Sequence, residues 1–179
     1  MTKKTKAVAL GGALTALALV FGYIEHLIPF NIGIYGVKLG LSNIVTVVTL
    51  YLLGRRSSLA VNLLRIMLSS LLFGNTMSLA YSLAGGVLSC ALMIFIYTFD
   101  KGQRLSPVGV SICGGIAHNI GQLAVALVAV SNLKVACFLP VLLAVGALTG
   151  ALIGVVSLAI IRNSAVKKLF GSEKNDCEG

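Results

Sequence analysis

The chain has 179 residues, of which 58% are hydrophobic and 11% charged, and its mean hydropathy is +1.00. A soluble domain of this size carries roughly twice that charged share, and three of only five acids (Glu173, Asp176 and Glu178) lie in the last seven residues, so a water-exposed fold is excluded. The net charge of +9 does not imply nucleic acid, because the basic residues form short clusters between apolar runs, as in the loops of membrane proteins.

Six apolar stretches read as transmembrane helices, at 7–28, 38–53, 58–73, 77–99, 108–130 and 135–161. The first follows Lys3, Lys4 and Lys6 in the manner of a signal peptide. It is longer than the usual ~7–15-residue apolar core, and more spans follow, so it is expected to be a retained helix. It carries the small pairs Ala9-xxx-Ala13 and Gly12-xxx-Ala16, and ends with Glu25 and His26 just before Pro29. The second span opens on Lys38, with Asn43 just over a turn in, and the third has Arg65 at its middle. Both are short, 16 residues each, and fit a bilayer if it thins locally or their neighbours shield them. Merging them into one span would bury Arg55 and Arg56. After the fourth span, the fifth brings His118, Asn119 and Gln122, with Gly114, Ala117 and Gly121 on roughly one side. The sixth carries Gly146-xxx-Gly150-xxx-Gly154, a small-residue stripe that lets another backbone approach closely in lipid. The stripe alone leaves open whether that backbone belongs to this chain or to another subunit.

Charge sets the expected orientation. One side of the membrane receives Lys3, Lys4, Lys6, Arg55, Arg56, Lys101, Arg104, Arg162, Lys167, Lys168 and Lys174, and the other receives Lys38 and Lys134. The positive-inside rule then places both termini in the cytoplasm of a cell-membrane protein. Residues 1–162 read as a single six-helix transmembrane domain and 163–179 as a polar cytoplasmic tail. Cys90, Cys113, Cys137 and Cys177 have neither CxxC spacing nor a nearby histidine pair, so they read as small apolar residues plus one free tail thiol, with no metal site.

The polar residues of the spans fall in the outer or middle part of the membrane. Glu25, Lys38, Asn43, Arg65, His118, Asn119 and Gln122 are the candidate substrate-binding residues. Gln122 follows His118 by four positions, which places both on one helix face. Arg65 is always charged and lies about 12 Å from either end of its helix, too far to snorkel easily. It therefore calls for a partner, either Glu25 or a ligand. Lys38 and Arg65 against Glu25 leave one net positive charge, which suits a mostly apolar molecule with an anionic or hydrogen-bonding head. The chain has no Walker A motif and no Rossmann glycine pattern. It also lacks the clustered carboxylates with which metal-dependent diphosphate chemistry holds magnesium. No enzyme activity and no cofactor are expected.

Glu25-His-Leu-Ile-Pro29, Gly36-Val-Lys-Leu-Gly-Leu-Ser-Asn43, Arg65 with Leu-Phe-Gly74, Ser82-Leu-Ala-Gly-Gly86 and Gly114-Gly-Ile-Ala-His-Asn-Ile-Gly-Gln122 follow one another in this order. In this the chain resembles the Gx transporter family, also named heptaprenyl diphosphate synthase component I, from about residue 7 to 161. That family is similar to the substrate-binding S components of energy-coupling factor (ECF) transporters. The resemblance implies an all-α integral membrane fold of six helices with an outward-facing site. It also implies partners: a transmembrane T subunit and two ATPase subunits, beside the lipid bilayer and a small-molecule ligand. S components dock on the T subunit through small residues of the first helix, a spacing that Ala9 and Ala13 match. An isoprenoid or quinone precursor is the implied cargo. Two other readings stand beside this one, a non-catalytic membrane partner of a prenyl diphosphate synthase and a subunit of a quinone-linked electron-transfer system.

Overall fold

In the computed structural model, residues 3–27, 40–100 and 105–166 are described. They form helices α1 (Lys3–Leu27), α2 (Asn43–Leu53), α3 (Arg55–Phe73), α4 (Thr76–Asp100) and α5 (Pro107–Val130), a 3₁₀ segment (Leu133–Phe138) and α6 (Leu139–Arg162). No strand occurs among the described residues. Five helical stretches are long and apolar enough to cross a membrane: Val8–Glu25, Arg55–Phe73, Thr76–Asp100, Pro107–Val130 and Lys134–Arg162. Their outer faces are apolar and bare, with Leu71 and Val128 about four-fifths exposed. Lipid tails satisfy such a surface and water does not.

The expected second span differs most from its sequence reading. Helix α2 has only 11 residues, about 16 Å of length, or roughly half the hydrocarbon thickness. It is the centre of the bundle and not part of the wall. Of its 11 residues all but Tyr51 are buried, and Val45, Val47, Leu50 and Leu53 anchor the main hydrophobic cluster together with Leu14 and Ala18 of α1, Met93 of α4 and Ile153 of α6. Burial on every face explains why its sequence is mostly apolar, and its polar residues Asn43, Thr46 and Thr49 are themselves buried. Buried hydroxyls tie it to its neighbours: Ser58 Oγ of α3 donates to the Thr46 carbonyl at 3.0 Å, and Ser157 Oγ of α6 donates to the Ile44 carbonyl at 3.5 Å.

Gly54 alone separates α2 from α3, with φ 85° and ψ −179°. That backbone conformation is essentially restricted to glycine, and it reverses the chain without a loop. Helix α3 consequently starts at Arg55, earlier than expected. Tyr23 of α1 packs against Phe73 of α3 with ring centroids 4.9 Å apart and the ring planes tilted by 47°, which places the C-terminal ends of these two helices together. The expected sixth span is divided: Pro140 stands in the first turn of α6, and the residues before it form the 3₁₀ segment.

Small residues bring α4, α5 and α6 into backbone contact. A Cβ on Gly150 would stand 2.7 Å from the Ser111 carbonyl oxygen, and one on Gly154 would stand 2.6 Å from Val108 Cα. Gly146 meets Gly115 in the same seam. The partner of the glycine stripe is therefore α5 of the same chain. The opposite side of α5 packs on α4, where a Cβ on Gly121 would meet the Ala84 carbonyl oxygen at 2.6 Å, and one on Gly114 would meet Met93 Sδ at the same distance. On α1, by contrast, Ala9, Gly12, Ala13 and Ala16 are exposed, and nothing stands within 4 Å of a Cβ on Gly12.

Candidate functional site

Because α2 is short, its N-terminus opens inside the bundle at the level of Arg65. Ten residues of α3 separate Arg55 from Arg65, a rise of about 15 Å, which matches the length of α2. Gly40, with φ +79°, turns the chain into α2, and its N–H donates to Glu25 Oε1 from α1. The carboxylate thus sits where the positive end of the helix dipole favours an anion.

Arg65 is 6% exposed and joins three elements. Its Nη1 donates to Ser42 Oγ at 2.6 Å, and its Nη2 donates to Asn62 Oδ1 at 2.9 Å. Asn62 Nδ2 in turn donates to the Gly86 carbonyl of α4 at 3.0 Å. The guanidinium thereby ties α3 to the start of α2 and, through Asn62, to α4. Arg65 Nε and Asn43 Oδ1 are buried and have no hydrogen-bond partner among the described residues. A donor and an acceptor left over in a buried site are costly, and such a cost is a common mark of a functional site.

Gly85 and Gly86 separate the two halves of the site. A Cβ on Gly86 would stand 3.2 Å from Arg65 Nη2, and one on Gly85 would stand 3.1 Å from His118 Cε1. On the α5 side, Gln122 Nε2 and His118 Nε2 lie 2.9 Å apart, and His118 approaches Gly40 at the start of α2. The structure therefore brings together Glu25, Asn43, Arg65, His118 and Gln122. Next to Arg65, a recess of about 20 Å³ is lined by Gly22 and Glu25 of α1, Ser69 of α3 and Ser78 of α4, room for a water or two.

Asn119 goes elsewhere. One position from His118 is about 100° around the helix, so Asn119 faces α6 and its Nδ2 donates to the Leu142 carbonyl at 2.7 Å. Lys38 lies outside the described residues, and so does the net positive charge that depended on it; among the described residues Arg65 faces one acid, Glu25. Sequence reasoning missed Ser42, Asn62, Gly85 and Gly86 as parts of the site. The signals were Asn62 three positions before Arg65, on the same helix face, and the paired glycines in a span.

The family model described as heptaprenyl diphosphate synthase component I matches residues 14–160. The chain belongs to this family. The match covers all of the site residues above and five of the six α-helices in full or nearly so, with α1 entered from residue 14. No curated protein and no solved structure matches the chain. The protein is thus a helical membrane protein of the Gx-type family, whose name as component I implies a partner component.

Proposed function

We propose that this family member is the substrate-binding S component of an ECF-type importer. It captures an amphipathic small molecule with an anionic or hydrogen-bonding head, such as an isoprenoid or quinone precursor, on the outer side of the cell membrane. The observation that carries the reading is Arg65. It is a buried cation whose Nη atoms donate, among the described residues, to the neutral oxygens of Ser42 and Asn62, whose Nε has no hydrogen-bond partner there, and which shares a small recess with Glu25. A charge held at bilayer depth is expensive and usually serves a pathway or a ligand. Glu25, Asn43, His118 and Gln122 converge on the same α2 terminus and supply the remaining donors and acceptors.

The bare small-residue face of α1, with Ala9 and Ala13 exposed, supports docking on a T subunit, since small residues permit close helix contact in lipid. Two ATPase subunits then supply the energy that this chain has no motif to harvest. The protein itself is non-catalytic. Its acids Glu25 and Asp100 stand at opposite ends of the bundle, the latter 24 residues along α4 from the Thr76 end, so these two cannot hold one metal ion. The family name favours a second reading, a membrane partner of a prenyl diphosphate synthase.

Native mass spectrometry of the gently solubilised protein from its own host distinguishes the two. A T subunit, ATPases and an apolar ligand are the expected companions. A prenyl synthase subunit without them would overturn the importer reading.

A further inference from the structure

The recess beside Arg65 lies at the end of the bundle where α1 and α3 finish and α4 begins. Helices α1 and α4 both pack on α3, and all three line the recess. Its charged lining among the described residues is one carboxylate, Glu25, and one guanidinium, Arg65. Both are held in place: Glu25 accepts from the Gly40 N–H at the start of α2, and Arg65 donates to Ser42 and Asn62. Ser69 and Ser78 add hydroxyls, and Phe73 adds an apolar wall. The described lining is thus a fixed dipole with no net charge.

That balance disfavours a head with a single charge. A carboxylate or phosphate that pairs with Arg65 also brings its charge up to Glu25, and like charges in a buried site repel. A lone ammonium meets Arg65 in the same way. A head with both signs, an ammonium toward Glu25 and a carboxylate toward Arg65, satisfies both walls. Hydrogen-bonding capacity agrees. Ser42 and Asn62 take one N–H from each Nη, and Nε has no hydrogen-bond partner among the described residues. The guanidinium fork therefore retains donors for a carboxylate. A carboxylate that accepts one N–H, as Glu25 does, has further lone pairs with which to accept from an ammonium.

Size decides what else the ligand carries. The recess offers about 20 Å³ to the centres of water-sized groups, and about 320 Å³ of space in all with its open mouth included. Small charged ends fit inside, and the body of the molecule lies in the mouth. A Cβ on Gly22 would meet nothing within 4 Å, so the mouth is open on the α1 side. Phe73 borders it, with Tyr23 packed against that ring.

We propose that the recess binds an α-amino acid with an apolar side chain, its ammonium on Glu25, its carboxylate on Arg65 and its side chain across Gly22 toward Phe73. The proposal rests on the reading of Glu25 and Arg65 as ligand residues, and narrows the head from anionic to dipolar. Desolvation of two charges is offset only when both are paired. Removing either charge from the ligand therefore leaves a protein charge without its counterpart.

The test is isothermal titration of the full chain in detergent at neutral pH. The probes are leucine, isocaproate (leucine without its amine) and isoamylamine (leucine without its carboxylate). Leucine is expected to bind about tenfold or more tighter than either, the scale of one charged hydrogen bond. Glu25→Gln keeps an acceptor for Gly40 and removes the charge. It should weaken leucine by a similar factor and abolish its advantage over isocaproate. Gly22→Leu enters open space, so this variant should unfold at the wild-type temperature yet lose leucine binding. If isocaproate binds as tightly as leucine, and Arg65→Lys weakens it, the dipolar head is wrong while the anionic reading of the site stands. Leucine binding that neither Glu25→Gln nor Gly22→Leu changes would lie elsewhere and overturn the proposal, as would the absence of binding by all three probes. None of these results bears on which subunits co-purify, so the importer reading stands or falls separately.

Discussion

Arg65 of α3 donates from Nη1 to Ser42 Oγ, 2.6 Å away at the entrance of α2. This bond joins a helix that crosses the bundle to one that stops halfway. It gives the charge a fixed position, and Asn62 holds the second Nη of the fork. A lysine has the same charge but not the fork. Arg65→Lys should therefore fold but lose roughly tenfold or more in ligand affinity, the scale of one charged hydrogen bond. Isothermal titration with the ligand found by mass spectrometry checks this. Unchanged affinity would make Arg65 a structural tie only.

Gly86 brings α4 close to the guanidinium. A Cβ there would stand 2.7 Å from Ile66 Cδ1 and 3.2 Å from Arg65 Nη2. Ile66 has a flexible end and can move, so Gly86→Ala should cost about 1–3 kcal/mol in stability and weaken binding by displacing Arg65. Thermal unfolding in detergent, read beside the binding constant, separates the two effects.

Asn119 and Arg65 are both buried polar residues, yet their variants should behave differently. Asn119→Leu removes the donor to the Leu142 carbonyl and should lower stability by roughly 1–3 kcal/mol, with the folded fraction binding as tightly as before. A loss of affinity in the folded fraction would return Asn119 to the binding site.

The two small-residue faces offer the sharpest contrast. Gly150→Leu would drive a side chain into Ser111 and Ile112 of α5, and should reduce the yield of folded monomer. Gly12→Leu meets open space, so the monomer should unfold at the same temperature as the wild type while co-purification of a T subunit is lost. Retention of the T subunit by Gly12→Leu would move the docking surface away from α1.

Much of this was legible in the residues. Lipid demands long apolar helices, and the spans around 7–28, 77–99 and 108–130 were visible within a few residues of their observed bounds. Arg65 was visible as a residue that needs polar partners because charge is so costly at that depth. The register of His118 and Gln122 followed from the helical period alone. The length of α2 was not legible. An apolar run reads the same whether lipid or protein surrounds it, and only the packing of α1, α3 and α6 around Val45, Val47 and Leu50 shows that it is a core element.

The sequence by itself determined the environment, the helical class and the presence of a buried cation, because solvation energy acts on each residue wherever the chain goes. The tertiary structure alone decided which polar groups meet. Asn119 turned to α6 while His118, its neighbour in sequence, turned to Gly85 and the start of α2. The glycine stripe of α6 closed on α5 of its own chain, whereas the small face of α1 stayed bare. Such choices depend on helix crossings and on where α2 stops, which are set by many contacts at once and by no residue alone.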